Sequence, residues 1–296
     1  RRSFLKAAMA ASAVSALALT GCGGAASSTV TASSNASSAA ASAAAEGGQT
    51  FKVGIVNYVD HASLNQIVES VESRLDEIGK EKGVTFDYAG YYANAQADQS
   101  NLNQIGADLV GDDVDVIVAV ATPTAATMLA AVEDTDIPVV YSAVTDPAAA
   151  GFDGEENITG TSDALNTEAI MKLITAVNPD IDTIGLLYDL SQDASTQAIA
   201  DAKAFCDANG IKYIEKNGTT TAEVQMAAEA LIASGVKAVF TPTDNTVMTA
   251  ELSIYETFIE AGVQHYTGAD SFALNGAFVG YGVDYVQLGE ATADMV

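Results

Sequence analysis

Histidine and cysteine are almost absent from this chain, and basic residues are few. Only two of its 296 residues are histidine and two are cysteine. His61 and His265 stand far apart, with no cysteine nearby and no His-x-x-x-His pair, so no three or four ligands converge on a metal. Cys22 closes an N-terminal apolar segment, which leaves Cys206 without a disulfide partner and reads as a buried, inert thiol. Lysine and arginine number 12 against 39 acids, a formal net charge of −27. A nucleic-acid binder needs a basic stripe to displace counterions along the phosphates, so that class is excluded. The acidity reads as a solvated surface. No Gly-x-Ser-x-Gly elbow, Walker loop or Gly-x-Gly-x-x-Gly follows any apolar run, and no nucleophile faces a base at matching strand ends. The chain is therefore read as a binding protein, not an enzyme, with no cofactor and no metal.

What is present begins with an address. Arg1-Arg2-Ser3-Phe4-Leu5-Lys6 precedes a short apolar run that ends in Leu19-Thr20-Gly21-Cys22. A basic start with an apolar core too short to span a bilayer permanently marks residues 1–22 as an export signal. RRSFLK resembles a twin-arginine signal and LTGC resembles the lipobox of bacterial lipoproteins, which implies lipidation at Cys22 and an extracytoplasmic, membrane-anchored protein. Residues 23–50, almost all Ala, Ser, Gly and Thr up to Gly48, cannot bury enough apolar surface to order themselves and read as a tether.

From Phe51 onward the pattern is strand, helix, strand. Val116 to Val120 is an apolar run suited to a parallel strand covered on both faces. It leads through Thr122 and Pro123, read as N-cap and first helical residue, into an Ala-rich helix, and Pro138 opens the strand Val139 to Val144. The first strand is Phe51 to Val56. A helix from Ser63 to Lys82 follows, with Ser63 and Gln66 as its capping box. Val84, Phe86 and Tyr88 alternate as one strand. The pattern then starts again: Thr183-Ile184-Gly185-Leu186-Leu187 matches Lys52-Val53-Gly54-Ile55-Val56, and Asp244 takes the N-cap place that Thr122 has in the first half. The expected fold is α/β, with two Rossmann-like lobes carrying parallel sheets and joined by a hinge. Lobe 1 is read as 51–155 plus 277–296 and lobe 2 as 156–276. A helix near Tyr285 runs to the last residue without a terminating turn, so further C-terminal residues are expected.

Ligands of open parallel sheets bind at the carboxyl ends of the strands, and clefts between lobes are favoured sites. Thr122 and Thr124 follow one strand, and Ser142, Thr145 and Asp146 follow the next. The loop 57–62 after the first strand offers Tyr58 and His61. In the second half Tyr188, Ser195, Asp244, Asn245, Asp270 and Tyr281 stand at or after strand ends, so these thirteen residues form the candidate site. Aromatic walls, hydroxyls, helix N-termini and a carboxylate suit a small zwitterion with an apolar or aromatic side chain. The N-terminus at Thr122 is expected to take its carboxylate and Asp244 its ammonium group, with Asp146 or Asp270 as substitutes.

Five segments carry a resemblance: residues 139–147 (VVYSAVTDP), 157–163 (NITGTSD), 185–189 (GLLYD), 243–246 (TDNT) and 282–285 (GVDY). Through them the chain resembles the tryptophan-binding, TrpX-like substrate-binding lipoproteins of ABC transporters, which have the type I periplasmic-binding-protein fold. That resemblance implies capture of an aromatic amino acid between the lobes, hinge closure and delivery to a membrane permease by a monomer. The loop Asp189 to Ser195 departs from the family by lacking its usual asparagine and glutamate. The alternative is a ligand-sensing module for a membrane signalling partner, since cleft physics is the same in both.

Overall fold

Along the buried strand β4 (Val116–Val120) successive side chains divide between two cores, which is why the run is apolar throughout. Val116, Val118 and Val120 join Leu64, Val71 and Leu75 on one face, whereas Ile117 and Ala119 join Leu102, Leu109 and Met128 on the other. The computed structural model describes residues 48–296. The export signal, Cys22 and all but the end of the tether lie outside the described residues.

The first sheet is parallel and six-stranded. Its path is β2 (Thr85–Asp87), β1 (Thr50–Asn57), β4, β5 (Val139–Ser142) and β6 (Ile158–Thr161), with β3 (Tyr92–Asn94) also on β1. The strand expected at 84–88 is β2, and a turn closed by Tyr91 N–H donating to Tyr88 O (2.9 Å) leads from it into β3, a further short strand that the sequence reading lacked. The second sheet is five-stranded, in the order β11 (Val279–Val283), β10 (Gln264–Ala269), β9 (Ala238–Thr241), β7 (Thr183–Tyr188) and β8 (Lys212–Asn217), and its pairs are all parallel. Two α/β lobes joined by a hinge are present.

Both lobe boundaries move relative to the reading from sequence. Residues 158–161 pair with β5, so they belong to the first sheet and not to the second lobe. Residues 279–283 pair with β10, so they close the second sheet and not the first. The chain therefore crosses between β6 and α4 (Thr167–Val177), and again between β11 and α9 (Tyr285–Met295). Helix α9 returns to the first lobe and lies on α1 (Ala62–Lys82). The two approach closely at Gly289, where a Cβ would stand 2.7 Å from Ile67 O. The hydroxyls of Ser142, Thr161 and Thr292 bond to one another at 2.8 to 3.4 Å and tie α9 to β5 and β6.

Candidate functional site

The carboxyl ends of β4 and β5 face the second lobe, and two local rules differ there from the sequence reading. Helix α3 (Thr122–Ala131) is capped by Ala121, not Thr122, and no side chain caps it. Helix α1 is capped by His61, whose Nδ1 accepts from Leu64 N–H at 3.4 Å; Ser63 lies inside the helix, so the expected capping box is absent. Ala121 (φ 77°) and Ala143 (φ 57°) hold backbone conformations that side chains disfavour. Such strain costs about 1–3 kcal/mol per residue and concentrates at binding sites.

Both alanines line a small cavity of about 30 Å³, together with Leu64, Thr122, Asp163, Thr243 and Tyr285. Ser191, Gln192 and Asn245 wall this cavity and also a wider space of about 510 Å³, bounded by Tyr58, Gln96, Ala97, Asp189 and the threonines 219–221. Gln96 (φ 57°) and Ala97 (φ 55°) are strained as well. Four of the five non-glycine residues with positive φ among the described residues thus border the cleft, the fifth being Asp113.

The lobes meet across it. His61 Nε2 lies 3.0 Å from Asn245 Oδ1, and Asn245 Nδ2 donates to Gln192 Oε1 at 2.9 Å. Because Nδ1 accepts, the proton of the neutral ring belongs on Nε2, a tautomer assigned from these partners. Burial lowers the His61 pKa to about 4, against smaller upward effects of Asn245 and Asp60. Tyr58 is half-buried, and burial raises its pKa while a hydrogen bond with Gln192 opposes the shift. Ser63 and Ser271 hydroxyls, one from each lobe, are 2.6 Å apart.

Of the thirteen candidates, Tyr58, Thr122 and Asn245 line the cleft and His61 bonds to it. Thr124 is buried with an unpartnered Oγ1 just inside α3 (Thr122–Ala131). The others have different work. Asp244 caps α7 (Asn245–Ala261): one oxygen accepts from Val247 N–H (2.9 Å), the other from Asp189 N–H (2.8 Å) and the Ser195 hydroxyl (2.6 Å). Burial pushes its pKa up to about 6. Its acceptor sites are filled by its own lobe, and it does not line the cavity. Tyr188 donates to Glu215 (2.7 Å) and Glu215 pairs with Lys203, away from the cleft. Ser142 belongs to the hydroxyl cluster under α9. Asp146 accepts from Ala149 N–H in a turn, Asp270 is exposed at the start of α8 (Asp270–Leu274), and Tyr281 is 47% exposed on the edge strand. Thr145 donates to Asp163 at the first crossing (2.7 Å).

The residues missing from the candidate set are Asp163, Ser191, Gln192, Thr243 and Tyr285. Asp163 and Tyr285 stood within the segments that carry the family resemblance, and a lone acid where the chain changes lobes was the available signal. Among the described residues no cluster of three metal-ligating side chains occurs, and no helix is long and apolar enough to cross a membrane.

Residues 52–296 match the family of ABC transporter substrate binding proteins, and the chain belongs to it. It is a two-lobed α/β protein of the type I periplasmic-binding-protein fold. A tyrosine-binding protein of Clostridioides difficile is 27% identical over 250 residues, which are 82% of this chain and 70% of that one. An ABC domain from Streptococcus pneumonia, solved in complex with L-Trp, superposes with a TM-score of 0.75 at 28% identity, covering 83% of each chain. The ligand-free, open structure of a Clostridium difficile substrate binding protein covers the same shares at the same identity, yet its TM-score is 0.60. At equal identity the lower score goes with the open form, in keeping with lobes that touch here through His61 and Asn245.

Proposed function

We propose that this protein is an extracytoplasmic receptor for an aromatic amino acid, held to the membrane through lipid on Cys22, and that as a monomer it delivers its ligand to an ABC permease. The observation that carries this reading is the cleft in which both lobes close on the uncapped N-terminus of α3. At this helix start Pro123 has no N–H and Ala121 N–H donates to Ser142 O, so the N–H groups of Thr122 and Thr124 are the ones left without intrahelical partners to attract an anion, here the ligand carboxylate. The adjoining 510 Å³ accommodates a large side chain beside Tyr58. A tyrosine-binding relative and an L-Trp-bound structural neighbour supply the ligand class.

The chain contains no tryptophan. Its own fluorescence therefore leaves the indole signal free, and L-tryptophan binding can be read directly from the ligand. Titration of the purified protein with L-tryptophan, L-tyrosine, L-phenylalanine and L-leucine should give saturable binding of aromatic ligands and much weaker binding of leucine. Leucine binding as tightly as the aromatic acids, or no amino acid binding at all, overturns the ligand class.

A further inference from the structure

Asp163 is a carboxylate only 4% exposed, placed on the segment where the chain first crosses between lobes. Its side-chain partners are two hydroxyls, Thr145 Oγ1 at 2.7 Å and Tyr285 OH at 3.2 Å. None of the ion pairs among the described residues includes it. Burial raises its pKa, and the two hydroxyl bonds only partly offset that. A buried carboxylate is costly unless a cation or enough donors meet it, and among the described residues no cation pairs with this one.

The same cavity that Asp163 lines holds Thr122 at the N-terminus of α3 and Thr243, whose buried Oγ1 has no hydrogen-bond partner. The lining thus includes a carboxylate, the positive end of a helix and an unused hydroxyl. That arrangement mirrors the head of a zwitterion. Asp244, the acid at the equivalent helix start of the second lobe, is filled by three donors from its own lobe.

We propose that Asp163 receives the α-ammonium group of the ligand and so makes the receptor specific for amino acids over the corresponding acids without an amine; this rests on the amino-acid reading above. The bond forms at the hinge itself. Asp163 sits on the first crossing, and Tyr285, which shares its carboxylate, opens the helix after the second.

The test compares L-tryptophan with indole-3-propionate, which has the same ring and carboxylate but no amine. The wild type should prefer L-tryptophan by roughly ten- to a hundredfold, the range of a hydrogen bond to a charged group. Asp163→Asn should bind L-tryptophan weaker by a similar factor and should no longer distinguish the two ligands. If Asp163→Asn weakens both ligands equally and keeps the preference, its role is structural and the proposal is overturned. Asp244→Asn should keep the preference, and this holds as a test even if Asp163→Asn does not fold. Loss of the preference in Asp244→Asn would move the ammonium site there. A wild type that binds neither ligand overturns the amino-acid reading as well, which separates that failure from a misassigned acid.

Discussion

Acidification should open the cleft through His61, and the size of the effect follows from its two ring nitrogens. In the closed form Nε2 meets Asn245 across the lobes and Nδ1 accepts from Leu64 N–H at the start of α1. A second proton must go on Nδ1, where it would face that N–H and lie buried. Burial lowers the imidazole pKa from the ordinary 6.5 to about 4, against smaller upward effects of Asn245 and Asp60. When the lobes part, the ring regains water and its ordinary value, so closure requires the neutral ring. Because the closed-state pKa is the lower one, the contribution to closure is fully present above about 6.5 and is lost as pH falls toward about 4. The whole window is worth about 3 kcal/mol. At about pH 5.5 the open form is some nine-tenths protonated, which costs closure about 1.4 kcal/mol, or about tenfold in ligand affinity.

Two carboxyl groups also titrate. Burial raises the pKa of Asp163 and of Asp244, and protonating Asp163 would remove the charge proposed to hold the ligand ammonium. The partners of Asp244 all belong to the second lobe, so its titration changes little on closure. The informative measurement is therefore a difference between two proteins. His61→Asn keeps an N-cap of equal quality and removes the titration. L-tryptophan affinity, measured by calorimetry at about pH 7.5 and about pH 5.5, should fall about tenfold more in the wild type than in His61→Asn. Parallel pH profiles would refute the role given to His61.

Tyr58→Ala should weaken L-tryptophan by about 1–3 kcal/mol, the range for losing a buried aromatic anchor. Tyr188→Ala should instead lower Tm and leave affinity nearly unchanged, because its hydroxyl serves Glu215 away from the cleft; equal affinity losses would place both rings on the ligand. Asp244→Asn should cost about 1–3 kcal/mol of stability, read by thermal denaturation, since Asp189 N–H or the Ser195 hydroxyl loses its acceptor; an unchanged Tm would mean that capping is all this carboxylate does. Cys22→Ser should release the protein from the membrane fraction without lowering its Tm, because stable anchoring needs the lipid chains; a mutant retained on membranes would show another attachment.

Periodicity made the architecture legible wherever a strand is buried on both faces. Thr183 to Tyr188 stands in the structure as read, and the matched glycines of the two halves have matched jobs. A Cβ at Gly54 would crowd Leu109, and one at Gly185 would crowd Leu231, so each glycine lets a helix lie close on its sheet. Edge strands were harder, since Ile158–Thr161 and Val279–Val283 are short, contain glycine and lack the continuous apolar run of a central strand. Their sheet membership depends on partners distant in sequence. That is why both crossings were misplaced, and Asp163 and Tyr285 with them.

The asymmetry between the lobes was hidden by the same repetition that revealed them. Thr122 and Asp244 hold corresponding places, and from sequence each looked like a cap with a ligand to hold. In the structure one helix start has no side-chain cap and borders a cavity, while the other is saturated by Val247, Asp189 and Ser195. An uncapped helix start offers unpaired N–H groups to an anion, and a saturated aspartate offers little to a cation. Topological equivalence therefore does not carry electrostatic equivalence. If the first lobe holds the ligand carboxylate, its ammonium needs an acid that the fold has left without a cation, and of the two acids lining the small cavity, Asp163 and Asp193, Asp163 is the buried one.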